Sequence, residues 1–355
     1  MTFTEGELSG ALLGESHLRP LSQSGRMLCE YSTVTSSAAD SLGGGSRTAW
    51  LRPRLCPPED FVVGSWIPSG FEAYARILHP VQEGPGESLI RWAEVACWSG
   101  VALVPSIQWY QVALPEFAPK AEPPWTSQGP REGTLSHADT IELVDILSRH
   151  SSGLCLFGVW EGYGFDLVVE CTEATSLPHR VEESPFELPW RSYALFEGPV
   201  TGAACFHTSQ FQSPNLWWPQ DRSWCVASEI DLPWTYVAGS QGLINQLLAS
   251  PHLEVLEAAP GDRIGAELPP WLETRISAAV EDVIVTGSTE LDFGAGIVTA
   301  TLVRLSRRKS VLVARSERGS GWGARNVPID TRLPEVMRRE IGSAIKQAVI
   351  GLVSV

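Results

Sequence analysis

Short apolar stretches separated by turn residues dominate the hydrophobic pattern of this chain. Residues 154–160 are almost continuously apolar over a short span, which is typical of a strand buried on both faces. Residues 71–79 alternate apolar and polar side chains and predict a second strand. Further strands are predicted over residues 192–196, 224–231, 253–256, 297–305 and 310–315.

Helical spacing appears in several segments between these strands. In residues 136–148, apolar side chains recur at the i, i+3 and i+4 spacing of one helix face, and Ser136 with Asp139 resembles a capping box. Pro334 suits the first turn of a last helix. Its inward stripe would consist of Met337, Ile341, Ala344, Ile345, Ala348 and Leu352. Other helices are predicted over residues 89–98, 241–249 and 269–280.

Strands and helices mix without a strict β-α-β-α repeat, so the pattern favours an α+β fold over a doubly wound one. We expect a mixed, mainly antiparallel sheet with flanking helices, plus a smaller C-terminal α+β unit. Residues 104–134 hold six prolines and predict an extended loop. The glycine-rich residues 319–323 predict a mobile loop.

Composition divides the chain into three parts. Residues 1–48 are rich in Ser, Gly and Thr and predict a disordered lead. Residues 49–262 form a tryptophan-rich α+β domain in this prediction. Residues 263–355 form a basic C-terminal α+β unit, or alternatively an extension that completes the first sheet.

Charge is distributed unevenly between these parts. The net charge is -15, yet residues 300–346 hold eleven Arg or Lys against four acids, which leaves the rest of the chain at -22. An acidic body repels nucleic-acid phosphates and suits a basic partner, whereas the basic part could bind an anion or dock on the acidic body.

Residues 213–239 concentrate four tryptophans and four charged side chains. Indole rings beside carboxylates and an arginine can stack and orient a planar ligand. On a strand, Glu229 and Asp231 would point to the same side, and Glu161, just after residues 154–160, would converge on them. The ligand-binding candidates are Trp160, Glu161, Arg191, Trp217, Trp218, Asp221, Arg222, Glu229 and Asp231.

A purely structural interpretation of the same segment stays open. Tryptophans are large core residues, and Asp221 with Arg222 would then be a local ion pair that closes a turn. Mononucleotide, zinc-peptidase, serine-hydrolase and dinucleotide motifs are all missing from the sequence. We therefore assign no catalytic residue, no metal ligand and no cofactor.

Several strings resemble those of a group of uncharacterised actinobacterial proteins. They lie at residues 68–71, 74–76, 79–80, 160–164 (Trp-Glu-Gly-Tyr-Gly), 191–193 and 213–239. The resemblance spans about residues 62–257 and leaves the basic C-terminal part outside. No activity is established for that group, so the resemblance implies kinship and transfers no site residue.

The sequence favours a non-enzymatic cytoplasmic binding or interaction protein, immunity-like or regulatory in kind, whose acidic body meets a protein partner. Seven widely spaced cysteines suit reduced thiols, and the apolar runs are too short to cross a bilayer. The alternative is a small-ligand-binding protein or hydrolase-type enzyme with an aromatic and acidic pocket. Nucleic-acid contact is weaker still. Its anion-binding candidates are Arg304, Arg307, Arg308, Lys309, Arg315 and Arg318.

Overall fold

The computed structural model describes one compact unit of the chain. The described residues are 47–82, 89–116, 121–125, 129–164, 167–170, 177–181, 184–189, 191–265, 268–293, 296–304, 309–318, 321–330 and 334–354. All of them belong to the unit Val34–Val355. The predicted disordered lead over residues 1–48 lies outside this set except for Arg47 and Thr48.

Six α-helices lie within the described ranges. They are α1 Trp92–Ser99, α2 Trp109–Ala113, α3 His137–Leu147, α4 Gln241–Leu248, α5 Pro270–Thr286 and α6 Pro334–Ser354. The predicted cap of α3 is confirmed, because the Ser136 hydroxyl accepts a hydrogen bond from the backbone N–H of Asp139. Within the predicted loop 104–134, α2 is a helix that the prolines concealed, so that part of the prediction is wrong.

The strands, in chain order, complete the secondary structure of the same ranges. They are β1 Ala73–Leu78, β2 Val81–Gln82, β3 Leu89–Ile90, β4 Leu154–Trp160, β5 Val168–Val169, β6 His179–Arg180, β7 Phe186–Leu188, β8 Arg191–Pro199, β9 Phe206–His207, β10 Leu216–Pro219, β11 Cys225–Ala227, β12 Trp234–Gly239, β13 Val255–Ala258, β14 Ser288–Asp292, β15 Ile297–Arg304, β16 Lys309–Arg318 and β17 Gly321–Asp330.

The largest sheet orders its strands β13-β1-β12-β11-β10-β4-β8-β6, with β7 also paired to β8. Every described strand pair is antiparallel. The fold is therefore α+β, as the mixed pattern of elements predicted.

Two hydrophobic cores cover the two faces of this sheet. Along β4, Leu156 belongs to one core and Phe157 to the other, because successive strand residues point to opposite faces. Helices α3 and α4 supply the second core, whereas α1, α2 and the C-terminal elements supply the first. The prediction that residues 154–160 form a strand buried on both faces is confirmed.

The C-terminal elements build a separate four-stranded sheet in the order β14-β15-β16-β17. Helices α5 and α6 pack against it, and α6 also contacts α2. The predicted inward stripe of α6 is buried at Ile341, Ala344, Ile345 and Ala348. Among the described strands, none of this unit joins the first sheet, so the alternative that residues 263–355 complete that sheet is wrong.

Two loop and strand predictions need correction. The glycine-rich residues 321–323 lie in β17 rather than in a loop, because their backbone pairs with the end of β16. The predicted strand 224–231 ends already at Ala227. A turn follows, in which the backbone N–H of Leu232 donates to the carbonyl of Glu229 at 3.1 Å.

Membrane-spanning length was also assessed. None of the described helices is both long and apolar enough to cross a bilayer.

Candidate functional site

The structure separates the predicted ligand-binding residues along β4 and β10. Trp160 lies at the last residue of β4, and Asp221 follows β10 at the opposite end of the sheet, where the backbone N–H of Gln220 donates to Leu154 O at 3.0 Å. A seven-residue strand spans about 20 Å, so a single small ligand cannot contact both ends. The candidates therefore form two groups.

Arg191 is the centre of the group at the Trp160 end. Its Nη2 donates to Glu229 Oε1 at 2.6 Å and to Asp231 Oδ2 at 2.9 Å, and its Nε donates to Glu229 Oε1 at 3.1 Å. The side chain of Glu229 is 5% exposed, whereas that of Asp231 is 72% exposed. One guanidinium thus joins a buried and an open carboxylate.

The shape of the backbone explains why Glu229 and Asp231 meet the same arginine. Sequence spacing placed them on one face of a strand, but they lie in the turn between β11 and β12. Arg191 begins β8, which pairs with β4, the strand that also pairs with β10. The convergence expected from the sequence is present, although its predicted structural cause is wrong.

Burial and charge act oppositely on this group. Burial raises the pKa of Glu229 in spite of its bond to Arg191. Burial also opposes the charged form of Arg191, but Glu229 and Asp231 outweigh that effect and raise the pKa of the guanidinium. Arg191 therefore stays cationic and keeps Glu229 ionised by direct contact.

Asn215 holds together the segments that surround Arg191. Its Oδ1 accepts a hydrogen bond from Trp160 N at 2.9 Å, and its Nδ2 donates to the carbonyls of Gly133 and Ser228 at 3.1 and 3.2 Å. The residue is 3% exposed, so these bonds satisfy a buried amide that would otherwise be costly. The asparagine of the string Ser-Pro-Asn at 213–215 is thus a structural hub.

The string Trp-Glu-Gly-Tyr-Gly at 160–164 shapes the aromatic edge of the site. The rings of Trp160 and Tyr163 meet edge to face at 5.2 Å, and the guanidinium carbon of Arg191 lies 5.9 Å from the Trp160 ring. A Cβ at Gly162 would come within 2.0 Å of that ring. Only glycine therefore allows Trp160 to fold back over the turn.

Glu161 lies beside this edge and is half-exposed. Its carboxylate accepts hydrogen bonds from Ser192 Oγ at 2.8 Å and from Arg180 Nη2 at 3.4 Å. Ser192 follows Arg191 in β8, so Glu161 belongs to the same group.

Sequence reasoning missed Glu132, the fourth carboxylate of this end. The backbone N–H of Gly133 donates to Leu232 O at 3.1 Å, and Gly133 has φ of +72° with the Cβ position only 2.8 Å from Ile230 Cα. This close approach places Glu132 next to Asp231. Partial burial, followed by the charge of Asp231, raises the pKa of Glu132 to about 7.

No hydrogen-bond or ion-pair partner of Glu132 occurs in the part of the chain that the structure describes. Arg131, its neighbour in sequence, turns away and donates to Phe211 O at 2.7 Å. We call Glu132, Glu161 and Asp231 the acidic rim. The segment around Glu132 gave no periodic signal, because it lies in the proline-rich region that precedes α3.

Behind Arg191 lies a cavity of about 20 Å³. Its polar lining includes Trp66, Tyr193, Ser228 and Glu229. The volume suffices for one water molecule, whereas small-molecule sites enclose about 300–1,000 Å³. The cavity in this conformation therefore does not support the predicted aromatic and acidic pocket.

The remaining aromatic candidates are core residues. Trp217 and Trp218 are each 1% exposed and enter the two cores on opposite faces of the sheet. Their assignment as ligand-binding residues is overturned by this burial. The structural interpretation of these two tryptophans holds.

Asp221 and Arg222 do not form the local ion pair considered from the sequence. Asp221 instead accepts hydrogen bonds from Ser151 Oγ at 3.1 Å and from Ser223 N at 3.0 Å. Arg222 lies over the ring of Trp50, with its guanidinium carbon 5.5 Å from the ring centroid.

The predicted anion-binding residues spread along the C-terminal hairpin. Arg304 and Lys309 lie at one end of β15 and β16, and Arg318 lies at the far end of β16, with Arg315 between them. A ten-residue strand spans about 30 Å, so these side chains do not converge. Arg307 and Arg308 fall outside the described residues.

Two searches of wider scope complete the description of the site. In the ranges that the structure describes, no group of three or more His, Cys, Asp or Glu could hold a metal ion. No protein-family model matches the chain, and no curated protein or solved structure is significantly similar to it.

Proposed function

We propose that the protein is a non-enzymatic cytoplasmic binding protein whose acidic rim receives a basic segment of a partner protein. The observation that supports this proposal is Glu132, an unpaired carboxylate held next to Asp231. A lysine or arginine from a partner would neutralise this charge and donate hydrogen bonds to it.

The local charge balance also supports a basic partner. Glu132, Glu161, Glu229 and Asp231 supply four carboxylates, against the guanidinium groups of Arg180 and Arg191. The chain as a whole carries a net charge of -15. Such a field attracts basic segments from a distance and speeds their association.

Binding explains this geometry better than catalysis. A pair of carboxylates that act as acid and base must both face the substrate, but Glu229 and Asp231 are both engaged by Arg191. Trp160, half-buried beside the rim, offers an indole face to a cationic group.

A labelled oligolysine peptide tests the proposal by fluorescence anisotropy, with oligoglutamate as the negative control. The wild-type protein should bind oligolysine, more tightly at low than at high salt. Either Glu132→Gln or Asp231→Asn should weaken binding by about five-fold, equivalent to about 1 kcal/mol. The control variant is Glu257→Gln, which removes an exposed charge on β13.

Two results would overturn the proposal. One is the absence of oligolysine binding by the wild-type protein at low salt. The other is an equal loss of affinity in Glu132→Gln and Glu257→Gln, since that would show only the effect of net charge.

A further inference from the structure

A second cluster of charged and aromatic residues lies at the other end of β10. The guanidinium carbons of Arg54 and Arg222 lie 5.4 and 5.5 Å from the ring centroid of Trp50. They are therefore at most about 11 Å apart. Trp50 itself is 8% exposed and meets the ring of Trp218 edge to face at 5.9 Å. A fixed core indole thus orients two arginines.

The surrounding carboxylates do not neutralise this pair. In the described part of the chain, neither Arg54 nor Arg222 has a carboxylate partner. Asp221 is turned to Ser151 and Ser223. Glu197 is engaged by Arg47, at 2.9 Å, so its charge is already balanced.

Two unpaired cations at this separation repel one another, because the distance is close to the Debye length of about 8–10 Å in physiological salt. An anion that contacts both would remove that repulsion and gain charge-assisted hydrogen bonds. Guanidinium groups suit phosphate in particular, since their planar donors match its oxygens.

The backbone at Arg222 gives an independent reason to expect a function. Its φ is +57°, the left-handed conformation that costs most residues other than glycine, asparagine and aspartate free energy. The strain arises in a tight turn, in which Arg222 N donates to Pro219 O at 2.9 Å. Glycine would fit this position without strain, yet the position holds an arginine whose side chain lies over Trp50.

We propose that Arg54 and Arg222 form a binding site for a phosphate group, either free phosphate or the terminal monoester of a small metabolite. The site lies at the opposite end of the sheet from the acidic rim. It therefore stands or falls independently of the basic partner proposed for that rim.

The turn geometry supplies a sharp test variant. Arg222→Gly removes the guanidinium and relieves the backbone strain, so the protein should stay folded, which urea unfolding without phosphate would verify. The second variant, Arg54→Gln, lies in an exposed turn. The matched control is Arg149→Gln, which removes an exposed arginine that pairs with Asp145 on α3 and the residues after it.

Isothermal titration calorimetry with inorganic phosphate and with glycerol phosphate, at ionic strength matched by sodium chloride, measures binding. We expect the wild-type protein and Arg149→Gln to bind equally, and Arg222→Gly and Arg54→Gln to lose at least about ten-fold in affinity. Binding of both probes would identify a terminal phosphate as the ligand group, and binding of inorganic phosphate alone would identify the free ion. The proposal is overturned if neither probe binds, or if Arg222→Gly binds like the wild-type protein.

Discussion

Two arginines of the same sheet show how differently a buried cation can be satisfied. Arg76 in β1 is 2% exposed and donates to the carbonyls of Pro105 and Ile107 at 2.8 and 2.5 Å. Its guanidinium carbon lies 3.8 Å from the ring of Trp234. Arg191 in β8 is 20% exposed and bonds to carboxylates.

The electrostatic consequences are opposite. Burial lowers the pKa of Arg76 to about 10, whereas the carboxylates raise that of Arg191 against the effect of burial. Carbonyls and an indole satisfy a cation without adding negative charge. Carboxylates leave an excess of negative charge once they outnumber the arginine, and that excess is what a partner can recognise.

The two surroundings thus define a closed centre, Arg76 with the neighbouring His79, and an open centre, Arg191 with the acidic rim. His79 is fully buried, and its Nδ1 and Nε2 lie 2.7 Å from Arg131 O and 2.8 Å from Thr235 Oγ1. The closed centre should govern stability, and the open centre should govern binding.

Replacement of Arg76 should have the largest effect on stability. Arg76→Met leaves the carbonyls of Pro105 and Ile107 without their donors, and the free energy of unfolding should fall by about 4 kcal/mol, since a hydrogen bond to a charged group contributes about 1.5–3 kcal/mol. Urea unfolding measures the loss. Oligolysine binding by the folded fraction should not change; a loss of less than about 1 kcal/mol would contradict the closed centre.

Acid should destabilise the protein through His79. Burial, aided by the charges of Arg131 and Arg76, lowers its pKa from 6.5 to about 4, although the Arg131 carbonyl opposes the shift. The unfolded chain therefore binds more protons between these values, and stability falls as the pH drops from about 6.5 to 4, by at most about 3 kcal/mol.

Urea unfolding across this range in the wild-type protein and in His79→Gln checks the effect, because the variant should lose this part of the pH dependence. His179→Gln is the control, since that side chain is 67% exposed. Parallel pH profiles for the wild-type protein and His79→Gln would refute the assignment.

Arg191→Met should destabilise less, by about 2 kcal/mol, because it leaves one buried carboxylate, Glu229, without its cation. The double variant Arg191→Met/Glu229→Gln should recover most of the loss in urea unfolding. No second substitution can rescue Arg76→Met in this way, since the partners of Arg76 are backbone carbonyls. Failure of the double variant to recover stability would remove this distinction between the centres.

The smallest expected effect concerns Glu132. Its pKa in the folded protein, about 7, lies above its ordinary value, so stability falls as the pH rises from about 4.5 to 7 and stays lower above that range. Glu132→Gln should be more stable than the wild-type protein at pH 8 by about 0.5 kcal/mol, after screening by solvent, with no difference near pH 4. Oligolysine affinity should rise from pH 6 to pH 8 in the wild-type protein alone; an unchanged affinity would argue against Glu132 as the binding carboxylate.

The sequence predicted local elements well where a pattern repeats along one segment. The bounds of β4 agree with the continuous apolar run, and α3 begins after the predicted cap at Ser136. The candidate site was predicted in part, because Trp160, Glu161, Arg191, Glu229 and Asp231 do converge. The kinship suggested by the strings at 160–164 and 213–239 stays a prediction.

The errors share one physical cause. Neighbours in sequence such as Trp218 and Asp221 can lie in a core and at a surface, and only the strand pairing decides this. Glu132 joins the rim through the close approach of Gly133 to Ile230, a tertiary contact that leaves no periodic mark. Arg76 and Arg191 likewise look alike in sequence, although their surroundings differ completely.

The buried amide of Asn215 has a consequence for how fast and how selectively the rim can act. Because it joins the backbone at Trp160, Gly133 and Ser228, the segments that present the carboxylates are already ordered before a partner arrives. Preorganised groups lose little conformational entropy on association. The rim should therefore discriminate between partners by the spacing of their positive charges, as a rigid template does, rather than adapt to each of them.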